Sequence, residues 1–122
     1  MSIGVIRGAI TIEKNCEEDI LQNTTILLQE IINRNNIKNE DIISIIFTAT
    51  DDIDAVYPAV AARNLNITHA GLMCLQEMKV KESLRMCIRV MVQIQTDKNQ
   101  DQMQHVYLKN ATVLRPDLLK QI

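Results

Sequence analysis

The chain of 122 residues is almost without aromatic side chains, since it has one Phe, two Tyr and no Trp. Its core must therefore be built from aliphatic residues, above all from its many Ile, with six Met to fill irregular gaps. Glycine and proline together number only five, so we expect Asn and Asp to form most turns. A mass of 13.9 kDa predicts a single domain, residues 1–122, large enough to fold without disulfides or a structural metal.

The sequence also lacks a basic excess, an export signal and a long apolar run. Its formal net charge is −2 and its pI is about 5.6, so it presents no basic field for nucleic acid or an anionic membrane. No apolar stretch approaches the ~20 residues of a membrane span, and the first residues do not form a signal peptide. Its three cysteines have no ligand spacing, which suits reduced thiols. We predict a cytoplasmic protein that binds neither nucleic acid nor membranes.

Familiar cofactor-binding and catalytic motifs are absent. The sequence contains no GxGxxG, GxxxxGK[ST], HExxH or GxSxG pattern, which disfavours dinucleotide, nucleoside triphosphate, zinc protease and serine hydrolase functions. The two histidines, His69 and His105, have no metal-ligand spacing with the cysteines, so we expect no metal site.

Hydrophobic periodicity predicts an alternation of strands and helices. Strands are expected at residues 3–12, 42–50, 70–74, 87–95, 105–108 and 111–114, and the run 42–50 is typical of a buried central strand. A helix is expected at 17–33, with Asn15 and Glu18 as a capping box, and a shorter helix at 59–65. Residues 79–86 are expected to form a turn or short helix. Together these elements predict an α+β domain with a mixed sheet and helices on one face.

Two arginines lie within predicted strands, on the face opposite the aliphatic residues. Arg7 alternates with Ile6 and Ile10, and Arg89 alternates with Ile88 and Val90. A single such arginine could be a solvated charge on an edge strand, but a pair favours an anion site. Arg63 and Arg115 could add to it, and a small acid with two carboxylates would need several guanidinium groups. The sheet face that lacks helices should be buried by another copy, so we expect an oligomer.

Three further residues are candidates for chemistry. Glu77 lies in an apolar segment, where it is either paired with a cation or a solvated loop residue. Cys74 is better explained as a buried structural thiol than as a nucleophile, because no motif places a histidine beside it. The Tyr107 ring faces away from Val106 and shares a face with His105, where it could also be ordinary edge packing.

Taken together, five blocks resemble the AroH-class chorismate mutase family, the small monofunctional trimeric type: IRGA, AVYPAVAARNL, MCLQEM, CIRVMVQIQTD and HVYLKNATVLRPDL. The resemblance runs over almost the full chain. It implies a chorismate mutase/RidA-like fold in which three subunits assemble into a pseudo-α/β-barrel homotrimer with active sites at the interfaces. It also implies a cofactor-free [3,3]-sigmatropic Claisen rearrangement of chorismate to prephenate, at the branch leading to phenylalanine and tyrosine.

The resemblance implies a role for each matching residue. Arg7 would hold a substrate carboxylate, Arg89 would stabilise the ether oxygen as the C–O bond breaks, and Glu77 would accept from the ring hydroxyl. Substrate-binding contacts would come from Cys74 near the hydroxyl, Tyr107 at the side-chain carboxylate, Arg63 and Arg115 facing the other carboxylate, and Tyr57, Ala59, Met73 and Leu114 lining the pocket.

The chain departs from the family pattern at three positions. Tyr57, Val60 and Met73 stand where the family commonly has Phe, Lys and Thr. Without that Lys, substrate capture would rest more heavily on Arg63 and Arg115.

Two other functions stay open at this point: a RidA-like trimeric imine deaminase, which also holds a carboxylate with an arginine, and a non-catalytic trimer that binds a small acid. The combination of Glu77 with two strand arginines favours the mutase.

Overall fold

A single mixed sheet of five strands organises residues 2–116, the part of the chain that the computed structural model describes. The strands are β1 (Ser2–Thr11), β2 (Ile42–Ala49), β3 (Gly71–Gln76), β4 (Cys87–Thr96) and β5 (Val106–Leu108), in the spatial order β3-β2-β4-β1-β5. β4 pairs antiparallel with β1 and β2, whereas β3 is parallel to β2 and β5 is parallel to β1. The predicted α+β class is confirmed. The tail after Pro116, which includes part of the RPDL block, lies outside the described residues.

Two α-helices, α1 (Glu17–Asn35) and α2 (Ala59–Asn64), pack on one face of the sheet. The core beneath them is aliphatic apart from Phe47, as the shortage of aromatic residues predicted. Close approach of α1 to β1 requires glycine at position 8, because a Cβ there would lie 2.9 Å from Ile31 Cδ1 and 3.1 Å from the Val106 carbonyl oxygen. Neither helix, and no other within residues 2–116, is long and apolar enough to cross a membrane.

The predicted capping box at the start of α1 is wrong. Cys16 occupies the cap position, and its side chain makes no capping hydrogen bond. The Asn15 amide instead binds the loop after β2: its oxygen accepts from the backbone N–H groups of Asp54 and Ala55, and its nitrogen donates to the Asp54 carboxylate. A better partner from a distant loop therefore replaced the local cap. The helix also runs two residues past its predicted end, to a left-handed Asn36.

The opposite side of the sheet, which we call the open face, carries Ile3, Arg7, Ile46, Thr48, Met73, Leu75, Arg89 and Met91. β2 lies inside the sheet, as predicted, but it is not buried on both sides, since Ile46 on the open face is 37% exposed while Phe47 is fully buried. A β-bulge at the start of β2, between Ile42 and Ser44, preserves the alternation along the rest of the strand. Met73, Leu75 and Met91 are also exposed, so much of the open face is apolar.

The predicted final strand at 111–114 is wrong, because Lys109–Leu114 forms a 3₁₀ helix, η3. Lys109 adopts a left-handed φ of 55° that turns the chain out of the sheet. Ala111 is then buried in a small second cluster with Ala9, Cys87 and Tyr107, which closes one end of the sheet on the side of the open face.

The turns use no left-handed glycine, but the expectation that Asn and Asp would supply most of them is met only in part. None of the three glycines has a positive φ, whereas Asn36 and Asn66 do, together with Glu82, Met86 and Lys109. Residues 79–86 form a turn with no helix. The Asp52 carboxylate fixes the end of this segment by accepting from the Met86 backbone N–H, with the Arg85 guanidinium 3.4 Å away.

Candidate active site

A small cavity of about 220 Å³ lies near the centre of the open face, and four of the candidate residues meet there. The register of the sheet explains why. Thr48 on β2 lies opposite Arg89 on β4, Arg89 lies opposite Ala9 on β1, and Ala9 lies opposite Tyr107 on β5. The cavity is lined by Arg7, Gly8, Ile46, Thr48, Glu77, Arg89, Val90, Met91 and Tyr107.

Glu77 and Arg89 form an ion pair across the cavity. The Glu77 backbone N–H donates to the Ala49 carbonyl at 2.9 Å, which extends the pairing of β3 with β2 by one residue and points the carboxylate along the open face. Glu77 Oε1 lies 3.4 Å from Arg89 Nη1. The Arg89 side chain is 46% exposed, and its guanidinium carries five N–H donors, so this contact leaves donors for a ligand.

Thr48 is a member of this cluster that the sequence analysis did not single out. Its hydroxyl donates to Glu77 Oε1 at 2.8 Å, the same oxygen that faces Arg89. Thr48 thus fixes the carboxylate in the orientation that meets the guanidinium. Only the strand register could have revealed it, because the chain separates Thr48 from Glu77 by 29 residues and from Arg89 by 41.

Arg7 and Tyr107 are supported by neighbouring elements. The Arg7 backbone N–H donates to His105 Nδ1 at 2.9 Å. Burial and the positive charges of Arg7 and Arg115 lower the pKa of His105, which favours the neutral ring that this acceptor role needs. Tyr107 packs against Ala9 and the second cluster, and Leu114 packs against the edge of the same cluster.

The other candidate residues do not reach this cavity within one chain. Tyr57 and Cys74 line a separate cavity of about 610 Å³ at the ends of β2 and β3, which shares no lining residue with the first. The Cys74 side chain is half-buried against the core, and Ala59 is buried within it. Met73 is exposed on the open face, and Arg63 is exposed on α2. One chain therefore gathers four candidate residues at the first cavity, places Tyr57 and Cys74 at a second one, and leaves Arg63 outside both.

The buried Cys87 offers no activated nucleophile. All three are free, and burial raises the pKa of the Cys87 thiol to about 11, although the nearby Arg89 acts in the opposite sense. Between residues 2 and 116 no three His, Cys, Asp or Glu side chains converge as a metal site would require. Among the described residues that line the first cavity, Arg7, Glu77 and Arg89 carry the charges that can act on a ligand.

A family model described as chorismate mutase type I matches residues 3–118. The chain belongs to this family. It is 50% identical to the chorismate mutase AroH of Bacillus subtilis (strain 168) over 119 residues. This match covers 97% of this chain and 94% of that protein. It is 42% identical over 114 residues to the AroH of Thermus thermophilus, 93% of either chain.

The fold of this type I chorismate mutase matches that of a relative of known structure. The chorismate mutase from Clostridium thermocellum superimposes with a TM-score of 0.88 and 48% identity, over 89% of this chain and 97% of that one. The predicted family, fold class and enzyme class, an isomerase, are confirmed. The RidA-like deaminase alternative is set aside by the same comparisons.

Proposed function

We propose that this chorismate mutase rearranges chorismate to prephenate over the cavity formed by Arg7, Glu77 and Arg89. The observation that carries the proposal is the convergence of two guanidinium groups and one held carboxylate on a single small cavity. A pericyclic rearrangement transfers no proton to the enzyme and forms no covalent bond with it. The enzyme must instead select the compact substrate conformer and stabilise the charge that develops in the transition state. We therefore expect activity without a metal or cofactor.

Arg89 carries the central role in this proposal. The ether oxygen of chorismate gains negative charge as its C–O bond breaks, and a guanidinium already held in place stabilises that charge without reorganising. The Glu77 carboxylate keeps Arg89 oriented and accepts from the substrate's ring hydroxyl. Arg7, which projects from β1 into the same cavity, holds a substrate carboxylate.

The single-chain cavity is too small and too open to do this alone. Its volume of about 220 Å³ lies below the ~300–1,000 Å³ of typical small-molecule sites. Exposed apolar side chains surround it, and a surface of that kind indicates burial by another chain. We propose that a second copy of the chain covers the open face and completes the site.

The separate positions of these candidate residues suggest how the copies meet. If the Arg7–Glu77–Arg89 group of one subunit faces the Tyr57 and Cys74 cavity and the exposed Arg63 of the next, the interface is heterologous. Such an interface forms a closed ring when the rotation between subunits closes. A ring of three is the homotrimer that the family resemblance implies. We further propose that it works in the cytoplasm, in keeping with its three free cysteines.

The activity is tested by following the loss of chorismate absorbance and identifying prephenate as the product. We expect turnover, and sedimentation equilibrium should return three times 13.9 kDa. A trimer that binds chorismate without converting it would instead be the non-catalytic binding protein, and a stable monomer with full activity would refute the shared site.

Mixing two inactive variants tests the shared site directly. Arg89→Ala damages the part of the site formed by the first cavity. Arg63→Ala damages the part that the neighbouring subunit is proposed to contribute. After the subunits are mixed in equal amounts and exchanged, about a quarter of the sites in a heterologous ring should contain two intact halves. Recovery of about a quarter of native activity is expected. No recovery, with exchange verified by mass spectrometry, would show that both arginines act in a site made by one subunit.

A further inference from the structure

The outer edge of β1 is completed by side chains as well as by a strand. β5 pairs with residues Gly8 to Ile10 only. Towards the start of β1, the Gln100 amide takes over, accepting from the Val5 N–H at 2.9 Å and donating to the Val5 carbonyl at 2.7 Å. Between these two regions, the Arg7 N–H donates to His105 Nδ1. At Arg7, which lines the cavity, the backbone N–H therefore donates to an imidazole nitrogen and not to the carbonyl of a neighbouring strand.

This substitution has a chemical consequence. A carbonyl accepts a hydrogen bond at any pH, whereas Nδ1 accepts only while the ring is neutral and carries its proton on Nε2. His105 is 9% exposed, and among residues 2–116 the charged groups that act on its ring are Arg7 from β1 and Arg115 from the end of η3. Both are cations, so a proton added to His105 would place a third positive charge beside them.

The backbone at His105 is itself anchored. The Asn35 side chain on α1 accepts from the Gln104 N–H at 2.8 Å and donates to the Gln104 carbonyl at 3.0 Å. The segment that enters β5 is therefore held against the helix just before His105. Loss of the ring's hydrogen bond would have to be accommodated by rotation of the ring or by movement of β1 at Arg7.

We propose that His105 is a positioning residue for the active site, whose neutral ring holds the backbone of Arg7 in place and releases it when protonated. The contact joins β1, which supplies Arg7, to the residue just before β5, which supplies Tyr107, so it also fixes how these side chains face each other. This role rests on the proposed function, because it concerns how Arg7 holds a substrate carboxylate.

Two variants of His105 distinguish its role as a hydrogen-bond acceptor from its ability to gain a proton. In His105→Asn, the Oδ1 atom stands two bonds from Cβ, as Nδ1 does, and accepts without titrating. In His105→Leu, a similar volume carries no acceptor and leaves the Arg7 amide without its partner. The exposed His69 provides the matched control as His69→Asn.

Steady-state kinetics with chorismate should distinguish these variants by their KM and by their pH profiles. Above the ordinary histidine pKa of about 6.5, we expect His105→Asn to stay within about threefold of native kcat/KM, and His105→Leu to raise KM on the order of tenfold. Below that pH, native enzyme should lose affinity as His105 is protonated, and His105→Asn should lack this component. His69→Asn should follow the native profile. An unchanged KM in His105→Leu, or the same acid profile in native enzyme and His105→Asn, would overturn the proposal.

A measurement without substrate keeps this inference separate from the proposed activity. In nitrogen NMR of native protein, the His105 ring should titrate below about 6.5, with Nδ1 as the unprotonated nitrogen, and the Arg7 amide signal should move with the same midpoint. If chorismate is not converted but the two signals titrate together, the proposed function fails while the His105 contact stands. If the Arg7 amide does not respond to the titration of the ring, the positioning role is refuted, whatever the activity.

Discussion

The two faces of the sheet use the same strands for different purposes. Along β2, Phe47 is fully buried under the helices, while its neighbours Ile46 and Thr48 point into the open face and line the cavity. The covered face is almost purely aliphatic, whereas the open face mixes exposed apolar side chains with two arginines. Because side chains alternate along a strand, one rigid backbone can support a core on one side and hold charged groups in fixed register on the other.

The difference between the faces also shows what the charged groups depend on. The covered face is stabilised by burial, which is not directional. The open face needs directed contacts instead: Thr48 orients Glu77, and Glu77 orients Arg89, all at positions fixed by strand register. The following predictions test this division between a face that determines stability and a face that determines activity.

Neighbouring substitutions on β2 should separate the two faces most sharply. Phe47→Ala should lower the free energy of unfolding by about 3–5 kcal/mol, because it removes a fully buried ring from the core. Ile46→Ala, on the exposed side, should cost no more than half as much and should weaken association between subunits instead. Urea denaturation and sedimentation velocity measure the two effects. Equal losses of unfolding free energy would contradict the division.

Arg89→Ala should nearly abolish turnover without unfolding the protein. Removal of one preorganised donor from an anion site typically costs ~2.7–4 kcal/mol, or about 100- to 1,000-fold in kcat, and here a full charge is lost as well. Arg89→Lys should recover part of the rate, since it keeps the charge but not the planar fork. Arg34→Ala on α1 is the matched control and should keep near-normal kcat. Near-normal kcat in a well-folded Arg89→Ala variant would refute the assignment.

Thr48→Val should have an intermediate effect on activity. The substitution preserves the shape of the side chain but removes the hydroxyl that orients Glu77, so we expect kcat/KM to fall about tenfold with little change in stability. Thr48→Ser keeps the hydroxyl and should restore most of the loss. A Ser variant as impaired as the Val variant would point to packing rather than to the hydrogen bond.

Asp52→Asn should have the smallest effect, and it should depend on pH. Burial by itself raises the pKa of Asp52, but hydrogen bonds from Thr50 and Met86, with the charge of Arg85, more than offset it and lower the pKa. The carboxylate therefore stabilises the fold above the ordinary value of about 3.9, and this contribution is lost as the pH falls further through the lowered pKa.

Since Asn keeps one acceptor oxygen, a loss of about 1 kcal/mol is expected near neutral pH. Native protein and variant should converge in strong acid when urea denaturation is repeated across the pH range. The exposed Asp97→Asn serves as the control for a change of surface charge. A constant difference between native protein and Asp52→Asn at every pH would mean that the charge of Asp52 contributes nothing.

Local pattern was sufficient for the elements with long periodic runs. The aliphatic faces of β1 and β4 and the course of α1 follow directly from periods of two and 3.6 residues, and the structure confirms them. The errors lie where a distant contact overrode a local preference. Asn15 does not cap α1, because its side chain forms hydrogen bonds with the loop at Asp54 and Ala55 instead. Residues 111–114 form η3 and not a strand, because Ala111 packs into the second cluster.

For the candidate site, the sequence by itself determined which residues carry charge within strands and on which face they lie, because alternation depends only on neighbouring positions. Alternation placed Arg7 and Arg89 within strands on the face opposite the aliphatic residues, and the five sequence blocks identified the family. Only the tertiary structure decided that Thr48 meets Glu77 and that His105 binds the Arg7 backbone, since both contacts depend on the register of elements far apart in the chain. The hydrophobic pattern fixes which face a residue occupies, but which residues of distant strands lie opposite each other is decided only when the whole sheet is assembled.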